Sequence, residues 1–348
     1  MTPQLPDEHQ IYPAASNPFY IVAPPYVRIS AGVRVLHLLC HSLNKLGHTA
    51  YLLMYPAMPW REHQICPDLM TPVLNHDIVK SHFDRGLTPI MVYPETVTGN
   101  PFNSPCVVRY VLNFPGLLGG DKIYAENELC FSYGEVLASH TRNPTNILFL
   151  PAIDTRTYHP PAAGQKRSGT CFYADKYQVA HQGKLFDITK DSIEITRNKP
   201  DSQTPQQIAE LFRKSELFYV YENTALAIEA VLCGCPVVFL PNEHLSDMIA
   251  VKEIGKDGYA WGADPAEVAR AKATVEQGAQ NYLNSYKTYW EDLDKFIQQS
   301  KAHVAGKPYT TMITLPNTFD VIRQSYYDRG PARFFQLVLR RLRELLKI

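Results

Sequence analysis

Short apolar runs alternate with helical patterns through the first half of the chain, and this alternation constrains the fold more than any other feature. Residues 19–23 form a buried-strand pattern that ends at two prolines. Residues 33–46 then carry apolar side chains at helical spacing, and Gly47 follows them, as a glycine often does at the end of a helix. Another strand pattern begins at residue 50. Such alternation predicts a largely parallel, doubly wound α/β sheet.

The alternation continues along the chain, and a change in composition divides it into two units. The further strand patterns of the first unit lie at 89–93, 107–112, 129–131 and 147–150. Residues 151–169 are rich in proline, glycine and polar side chains, which is typical of a linker. The second unit has strand patterns at 170–174, 192–196, 216–221 and 236–240, and helical patterns at 205–214, 224–233 and 265–302. We therefore predict domains at 1–165 and 166–300 and a C-terminal segment at 301–348.

The composition fits a folded two-domain protein and disfavours nucleic acid as a partner. The 348 residues are 45% hydrophobic and 20% charged, as expected for a packed core and not for a disordered chain. Lys+Arg and Asp+Glu both number 34, so the formal net charge is zero and no general polyanion-binding surface is expected. The seven cysteines form no CxxC pair, and residues 1–10 lack the features of a signal peptide. The expectation is a cytoplasmic protein with reduced cysteines.

The stretch 219–238 carries the strongest chemical signal, because it reads as strand, acidic loop, helix, glycine stop and strand. Ligands of open α/β sheets bind at the carboxyl ends of strands, where a helix N-terminus presents free N–H groups. A diphosphate is predicted on the amides of Thr224 and Ala225, with Glu222 near a sugar hydroxyl and Glu229 accepting hydrogen bonds from a ribose. The alternative is an ordinary buried strand–helix–strand unit in which Glu229 is paired internally.

This stretch resembles the nucleotide-sugar site of GT-B-fold glycosyltransferases similar to family 4. In that family a Glu, seven residues and a second Glu precede an Ala-x-x-(Cys/Ala)-Gly-x-Pro-Val-Val segment. The second glutamate matches Glu229, whereas the slot of the first is Tyr221 and the acid is Glu222, one residue later. The resemblance implies a GT-B fold, with two Rossmann-like domains facing each other across a cleft. It also implies a donor site formed by Tyr221, Glu222, Asn223, Thr224, Ala225 and Glu229.

Two further stretches resemble the same family. Residues 150–160 are similar to its hinge segment, and residues 30–48 are similar to its N-terminal glycine loop and the helix that follows. The resemblance implies that the loop at Gly32 approaches the donor phosphates. It implies also that Lys176, after the first strand of the second domain, neutralises the departing diphosphate. A surface lysine in a turn is the alternative for Lys176.

Residues 94–101 and 107–116 look like segments of bacterial cell-surface polysaccharide transferases. Glu95 follows a strand and is predicted, with Glu222, as a catalytic residue that meets the sugar substrates. A solvated glutamate in a turn is the alternative. Arg109 lies in an apolar strand and needs an anionic partner, because an isolated buried cation is costly. It is either a structural ion pair or, with Asn100, a phosphate or acceptor contact.

No metal or cofactor is expected from the sequence. The only Asp-x-Asp pair, Asp292 and Asp294, falls in a helical pattern, and side chains two apart on a helix do not face each other. The chain has no His-Glu-x-x-His motif, no Gly-x-Gly-x-x-Gly motif and no Walker loop. The family resemblance implies a retaining, metal-independent transfer.

The C-terminal residues 328–348 have an amphipathic helical pattern. Between 329 and 348 there are six basic residues and one acid, Glu344. Such a helix is predicted to lie on an anionic membrane surface, with packing on the protein body as the alternative.

The family resemblance implies a transferase that moves a sugar from a nucleotide-sugar to a saccharide or lipid-linked acceptor in lipopolysaccharide, capsule or O-antigen synthesis. A GT-B-fold nucleotide-sugar epimerase and a non-catalytic partner subunit remain as alternatives.

Overall fold

The computed structural model describes residues 15–57, 64–179, 181–197 and 201–316. Its first half holds a five-stranded parallel sheet in the order β2-β1-β3-β4-β5. The elements of this half are β1 Phe19–Ala23, α1 Ala31–Lys45, β2 Ala50–Met54, α2 His76–Asp84, β3 Ile90–Pro94, β4 Val107–Val111, β5 Leu129–Ser132 and α3 Glu135–Ala138. Strands β1, β3 and β4 are buried along their whole length, as strands covered on both faces should be.

Helix α1 shows why the first strand–helix unit forms where it does. The side chain of Ser30 caps the helix by accepting a hydrogen bond from the Val33 N–H. Its apolar face packs on the sheet through Val35, Leu36, Leu39 and Leu43. The chain leaves the helix through Gly47, whose φ of 81° favours glycine.

A second five-stranded parallel sheet follows, in the order β10-β9-β8-β6-β7. Its strands are β6 Thr170–Tyr173, β7 Ile193–Glu194, β8 Leu217–Val220, β9 Val237–Phe239 and β10 Tyr259–Trp261. The helices around it are α4 Asp175–Val179, α5 Pro205–Lys214, α6 Ala225–Leu232 and α7 Val251–Ile254, with a 3-10 turn at Asp187–Thr189. Thr204 and Gln207 form a capping box at the start of α5.

The long helix α8, Pro265–Val304, connects the two halves. Near its middle, Ala279 and Tyr282 belong to the core of the second sheet. Further along, Leu293, Phe296 and Ile297 belong to the core of the first sheet, where the Phe296 ring stacks on Phe19. The residues after α8 pack on the first half of the chain. The Thr88 hydroxyl donates to the Lys307 carbonyl, and Tyr309 packs on Phe83.

The predicted fold is confirmed: two Rossmann-like α/β units face each other, with helices at the C-terminal side. Residues 147–150 differ from the prediction, because they make only a bridge between Ile147 and Ser132. The edge strand β10, the short helices α2, α3, α4 and α7 and the 3-10 turn were not predicted. The boundaries at 165 and 300 stay a prediction, and the amphipathic pattern at 328–348 lies outside the described residues. Among the residues that are described, no helix combines the length and the apolarity that a membrane crossing needs.

Candidate functional site

A cleft of about 550 Å³ lies between the two sheets and opens at the carboxyl ends of their strands. From the first half it is lined by residues that follow strands β1, β3 and β4, namely Pro24, Glu95, Thr96, Leu112 and Asn113, and by the start of α1. From the second half it is lined by residues that follow β6, β7 and β8, namely Asp175, Lys176, Arg197, Asn223, Thr224 and Ala225. This is the position where ligands of open α/β sheets bind.

Glu95 lies directly after β3, where the cleft begins. Its side chain is nearly buried, and the Leu112 N–H donates to its Oε2 over 3.0 Å. Burial raises the pKa of this carboxyl to about 7, although the Leu112 N–H and the charges of Arg109 and Lys176 act in the opposite direction. A carboxyl with a pKa near neutrality exchanges its proton readily, so Glu95 is suited to acid–base work at the cleft.

Arg109 is completely buried in β4, below the loop that carries Glu95. Its guanidinium donates to both carboxylate oxygens of Glu128, over 3.0 Å in each case. The remaining N–H groups donate to the backbone carbonyls of the loop that follows β3, at Pro94, Val97 and Gly99. Of the two roles that the sequence left open, these contacts support the structural ion pair. No N–H of Arg109 is left for a phosphate or an acceptor.

Asn100 closes the same loop and points into it. The Tyr93 hydroxyl and the Ser104 N–H donate to its Oδ1, and its Nδ2 donates to the Ser104 carbonyl. The residue is absent from the lining of the cleft. Asn100 therefore acts within the loop, and the structure gives no support to the predicted substrate contact.

Glu222 and Lys176 lie together at the ends of β8 and β6. The Tyr177 N–H donates to Glu222 Oε2 over 3.0 Å, and Lys176 Nζ lies 3.7 Å from Glu222 Oε1. Burial raises the pKa of the Glu222 carboxyl, and the charge of Lys176 opposes this effect. Both residues line a side pocket that continues from the cleft, together with Asn113. The structure thus places these two residues, which the sequence predicted separately as donor contacts, side by side, with Lys176 facing the cleft; their roles stay predictions.

Tyr221, which occupies the slot of the first family glutamate, is fully buried. Its hydroxyl accepts a hydrogen bond from the Phe186 N–H and shares another with Thr189 Oγ1, each over 2.8 Å. Its ring stacks on Tyr177. The phenol is therefore satisfied by protein partners and supports the loop that carries Glu222.

The N-terminus of α6 faces the cleft, because Thr224 and Ala225 line it, and the diphosphate on their amides stays a prediction. Thr224 is the N-cap residue, and its side chain accepts a hydrogen bond from the Leu226 N–H. The Asn223 side chain binds the backbone of the loop that precedes α7. Its Nδ2 donates to the Asp247 carbonyl, and its Oδ1 accepts from the Ile249 N–H.

Gly32 also lines the cleft, but its conformation differs from the prediction. It lies inside the first turn of α1, which begins at Ala31, so it is not part of a loop. A Cβ built at Gly32 would make only an ordinary contact with Leu112, 3.6 Å away. The approach of Gly32 to donor phosphates stays a prediction, and the described backbone does not require a glycine there.

Glu229 is fully buried in α6, behind the cleft. Its Oε1 accepts from Nη1 and Nη2 of Arg34, over 3.1 and 3.0 Å, and its Oε2 accepts from Nη2 of Arg197 over 3.4 Å. The Tyr158 hydroxyl also bonds to this carboxylate. The predicted ribose contact stays a prediction, but in this structure protein groups occupy both oxygens.

Sequence reasoning missed the two arginines, although both line the cleft. Arg34 belongs to α1 and Arg197 follows β7, so they come from opposite sides of the seam between the two halves. A signal was present: Glu229 lies in an almost wholly apolar helix, and a buried carboxylate needs a cationic partner. Nothing in the sequence indicated which cation it would be.

A metal centre has no candidate among the described residues, where no three His, Cys, Asp or Glu side chains cluster suitably. Asp292 and Asp294 lie inside α8, as the helical pattern predicted. The prediction that the reaction needs no metal is left to experiment.

Comparisons with known proteins give similarity at the level of structure alone. No protein-family model matches the sequence, and no curated protein matches it. AviGT4, a glycosyltransferase involved in avilamycin A biosynthesis, is 12% identical over 84% of this chain and 98% of its own, with a TM-score of 0.47. SnogD, a glycosyltransferase from Streptomyces nogalater, is 12% identical over 82% of this chain and 100% of its own, with a TM-score of 0.39. CalG4, the calicheamicin glycosyltransferase, is 11% identical over 84% of this chain and 99% of its own, with a TM-score of 0.36. At these identities and TM-scores the likeness does not assign an activity to this chain.

Proposed function

We propose that this protein is a glycosyltransferase, which moves a sugar from a nucleotide-sugar to a saccharide or lipid-linked saccharide acceptor. The observation that carries the proposal is the composition of the cleft. A carboxyl with a pKa of about 7, Glu95, comes from one side. From the other side come a lysine, Lys176, and the free amides at the start of α6. These groups support proton exchange and phosphate binding within one cavity.

Each group has a role that its environment supports. Lys176 and the amides of Thr224 and Ala225 bind the diphosphate, since a helix N-terminus and a cation both favour phosphate. Glu222 contacts the donor sugar beside Lys176. Glu95 exchanges a proton with the acceptor hydroxyl at the opposite wall. Catalysis then depends on positioning and on stabilising the departing diphosphate.

The finer assignment follows from the motifs in the sequence. The resemblance to bacterial cell-surface polysaccharide transferases of family 4 supports a retaining, metal-independent transfer in lipopolysaccharide, capsule or O-antigen synthesis. A cytoplasmic protein that reaches lipid-linked acceptors works at the inner face of the membrane. The basic segment 329–348 is suited to that contact, because Lys and Arg near an anionic surface each contribute about 1 kcal/mol of attraction.

The first experiment is a thermal-shift titration with UDP, GDP, CMP, ADP and their common sugar conjugates. A ligand that binds only the native state raises its stability by mass action. The wild type is compared with Lys176→Gln and with the matched control Lys272→Gln, an exposed lysine on α8 outside the cleft. We expect one nucleotide family to stabilise the wild type and the control, and to stabilise Lys176→Gln less. No stabilisation by any of them would favour the non-catalytic partner subunit.

The second experiment follows the product of the nucleotide-sugar that the titration selects. Release of nucleoside diphosphate that depends on a saccharide acceptor supports transfer, whereas conversion of the donor without acceptor identifies an epimerase. NMR of the product gives the anomeric configuration and so tests retention. Equal rates in EDTA and in Mg²⁺ are expected for a metal-independent reaction.

A further inference from the structure

Two arginines share one carboxylate at the seam between the two halves. Arg34 reaches Glu229 from the first half and Arg197 reaches it from the second. The three side chains are almost completely buried, with exposures of 7%, 7% and 0% for Arg34, Arg197 and Glu229. The group therefore carries one positive charge that Glu229 does not balance, and it lies where an unpaired charge is costly.

The spare hydrogen-bonding capacity of these arginines points in the same direction. The Nε atoms of Arg34 and Arg197 are both buried, and neither has a hydrogen-bond partner among the residues that the structure describes. A buried N–H without a partner destabilises the protein, and more so when the group is charged. Both arginines line the cleft, so a ligand in the cleft is within reach of this group.

We propose that Arg34 and Arg197 form an oxyanion site that binds a phosphate group at the seam, with Glu229 as the residue that positions them. An oxyanion balances the remaining positive charge and accepts hydrogen bonds that the protein leaves unmade. Guanidinium groups suit this task, because they present several donors in one plane. The site deepens the proposed function, on which it rests, since the diphosphate of a nucleotide-sugar is the expected source of the anion.

The two arginines add a second phosphate position to the one that Lys176 and the amides of Thr224 and Ala225 form. Lys176 is paired with Glu222 and lies on the β6–β8 side. The two acids in the lining, Glu95 and Asp175, follow β3 and β6, and Glu229 is the acid that both arginines contact. The site also draws on both halves, so the ligand fixes their relative position when it binds.

The test measures binding of inorganic pyrophosphate by titration calorimetry, with the matching nucleoside and nucleoside diphosphate as separate arms. Arg197→Gln is the main variant, because Arg34 still holds Glu229 with two hydrogen bonds in its absence. Arg197→Lys keeps the charge, and Lys272→Gln is the control. We expect Arg197→Gln to weaken pyrophosphate and nucleoside diphosphate binding about tenfold or more, which corresponds to the loss of one charged hydrogen bond. Arg197→Lys should recover part of this loss, and binding of the nucleoside should not change.

Thermal melting without ligand separates this role from a structural one. Arg197→Gln removes the unbalanced charge together with the hydrogen bond that Arg197 Nη1 donates to the Ile29 carbonyl, so its melting temperature should stay close to that of the wild type. A lower melting temperature with unchanged pyrophosphate affinity would overturn the proposal, and so would a wild type that does not bind pyrophosphate at millimolar concentration.

If pyrophosphate binds through Arg197 but no nucleotide does, the oxyanion site stands and the proposed nucleotide-sugar donor falls. If nucleotides bind and only Lys176→Gln weakens them, the donor stands and the arginine site falls. A phosphorylated acceptor as the source of the anion would show as tighter binding of a sugar phosphate than of the nucleotide.

Discussion

Glu95→Gln removes the proton exchange of the cleft carboxyl while keeping its shape, and it makes a quantitative prediction. In the folded protein the pKa of Glu95 is about 7, against an ordinary value of 4.5, because the side chain is buried. Between these two pH values the native state keeps a proton that the unfolded chain releases. The free energy of unfolding of the wild type therefore falls as the pH rises through this interval.

The magnitude follows from the size of that interval. From 4.5 to about 7, at about 1.4 kcal/mol for each pH unit, the contribution of Glu95 is about 3 kcal/mol. It stabilises fully below pH 4.5 and is lost by about pH 7. The glutamine variant has no such dependence, because its amide does not titrate and its side-chain oxygen still accepts from the Leu112 N–H. Relative to the wild type, Glu95→Gln should gain about 3 kcal/mol between pH 4.5 and pH 8.

The assay is urea denaturation across this pH range, followed by the fluorescence of the three tryptophans. Other buried acids, such as Glu222 and Glu253, also have raised pKa values, and the difference between variant and wild type cancels their contribution. Glu216→Gln, at an exposed carboxyl outside the cleft, controls for the loss of one acid. Parallel curves for Glu95→Gln and the wild type over the whole range would refute the argument from burial.

Three further predictions concern the support of the site. Arg109→Met should cost about 3–5 kcal/mol in urea unfolding, because it leaves Glu128 buried and unpaired, and the double variant with Glu128→Leu should recover most of that loss; no recovery would contradict this. Gly120→Ala should lower the melting temperature more than Gly119→Ala, since both residues have positive φ but only at Gly120 would a Cβ overlap a neighbouring backbone carbonyl; equal effects would exclude the overlap. Thr204→Ala should cost about 1 kcal/mol, by loss of the capping box of α5, and an unchanged denaturation midpoint would show that the cap is dispensable.

The strands and helices that carry the site could be predicted because their signals are local. The buried run of β1, the Ser30-to-Gly47 frame of α1 and the glycine stop after α6 each lie within one short segment. The placement of Glu95 and of Thr224 at the cleft follows from the rule that parallel strands present their carboxyl ends at one edge. The edge strand β10 was missed because its three residues carry no clear periodicity.

The partners of the charged residues could not be predicted, because they are far apart in sequence. Arg34 and Glu229 are separated by 195 positions, and no pattern within either segment predicts that these two side chains are in contact. The sequence predicted that buried Arg109 needs an anionic partner. Only the pairing of β4 with β5 shows that this partner is Glu128.

By itself, then, the sequence determined the parallel α/β architecture and the segments that reach the cleft, since burial and helix capping act between neighbours in the chain. Only the tertiary structure decided how Arg34, Arg197 and Glu229 combine into one charged group. The reason is physical: the charge balance of a buried site depends on which side chains the packing of two domains brings within a few ångströms.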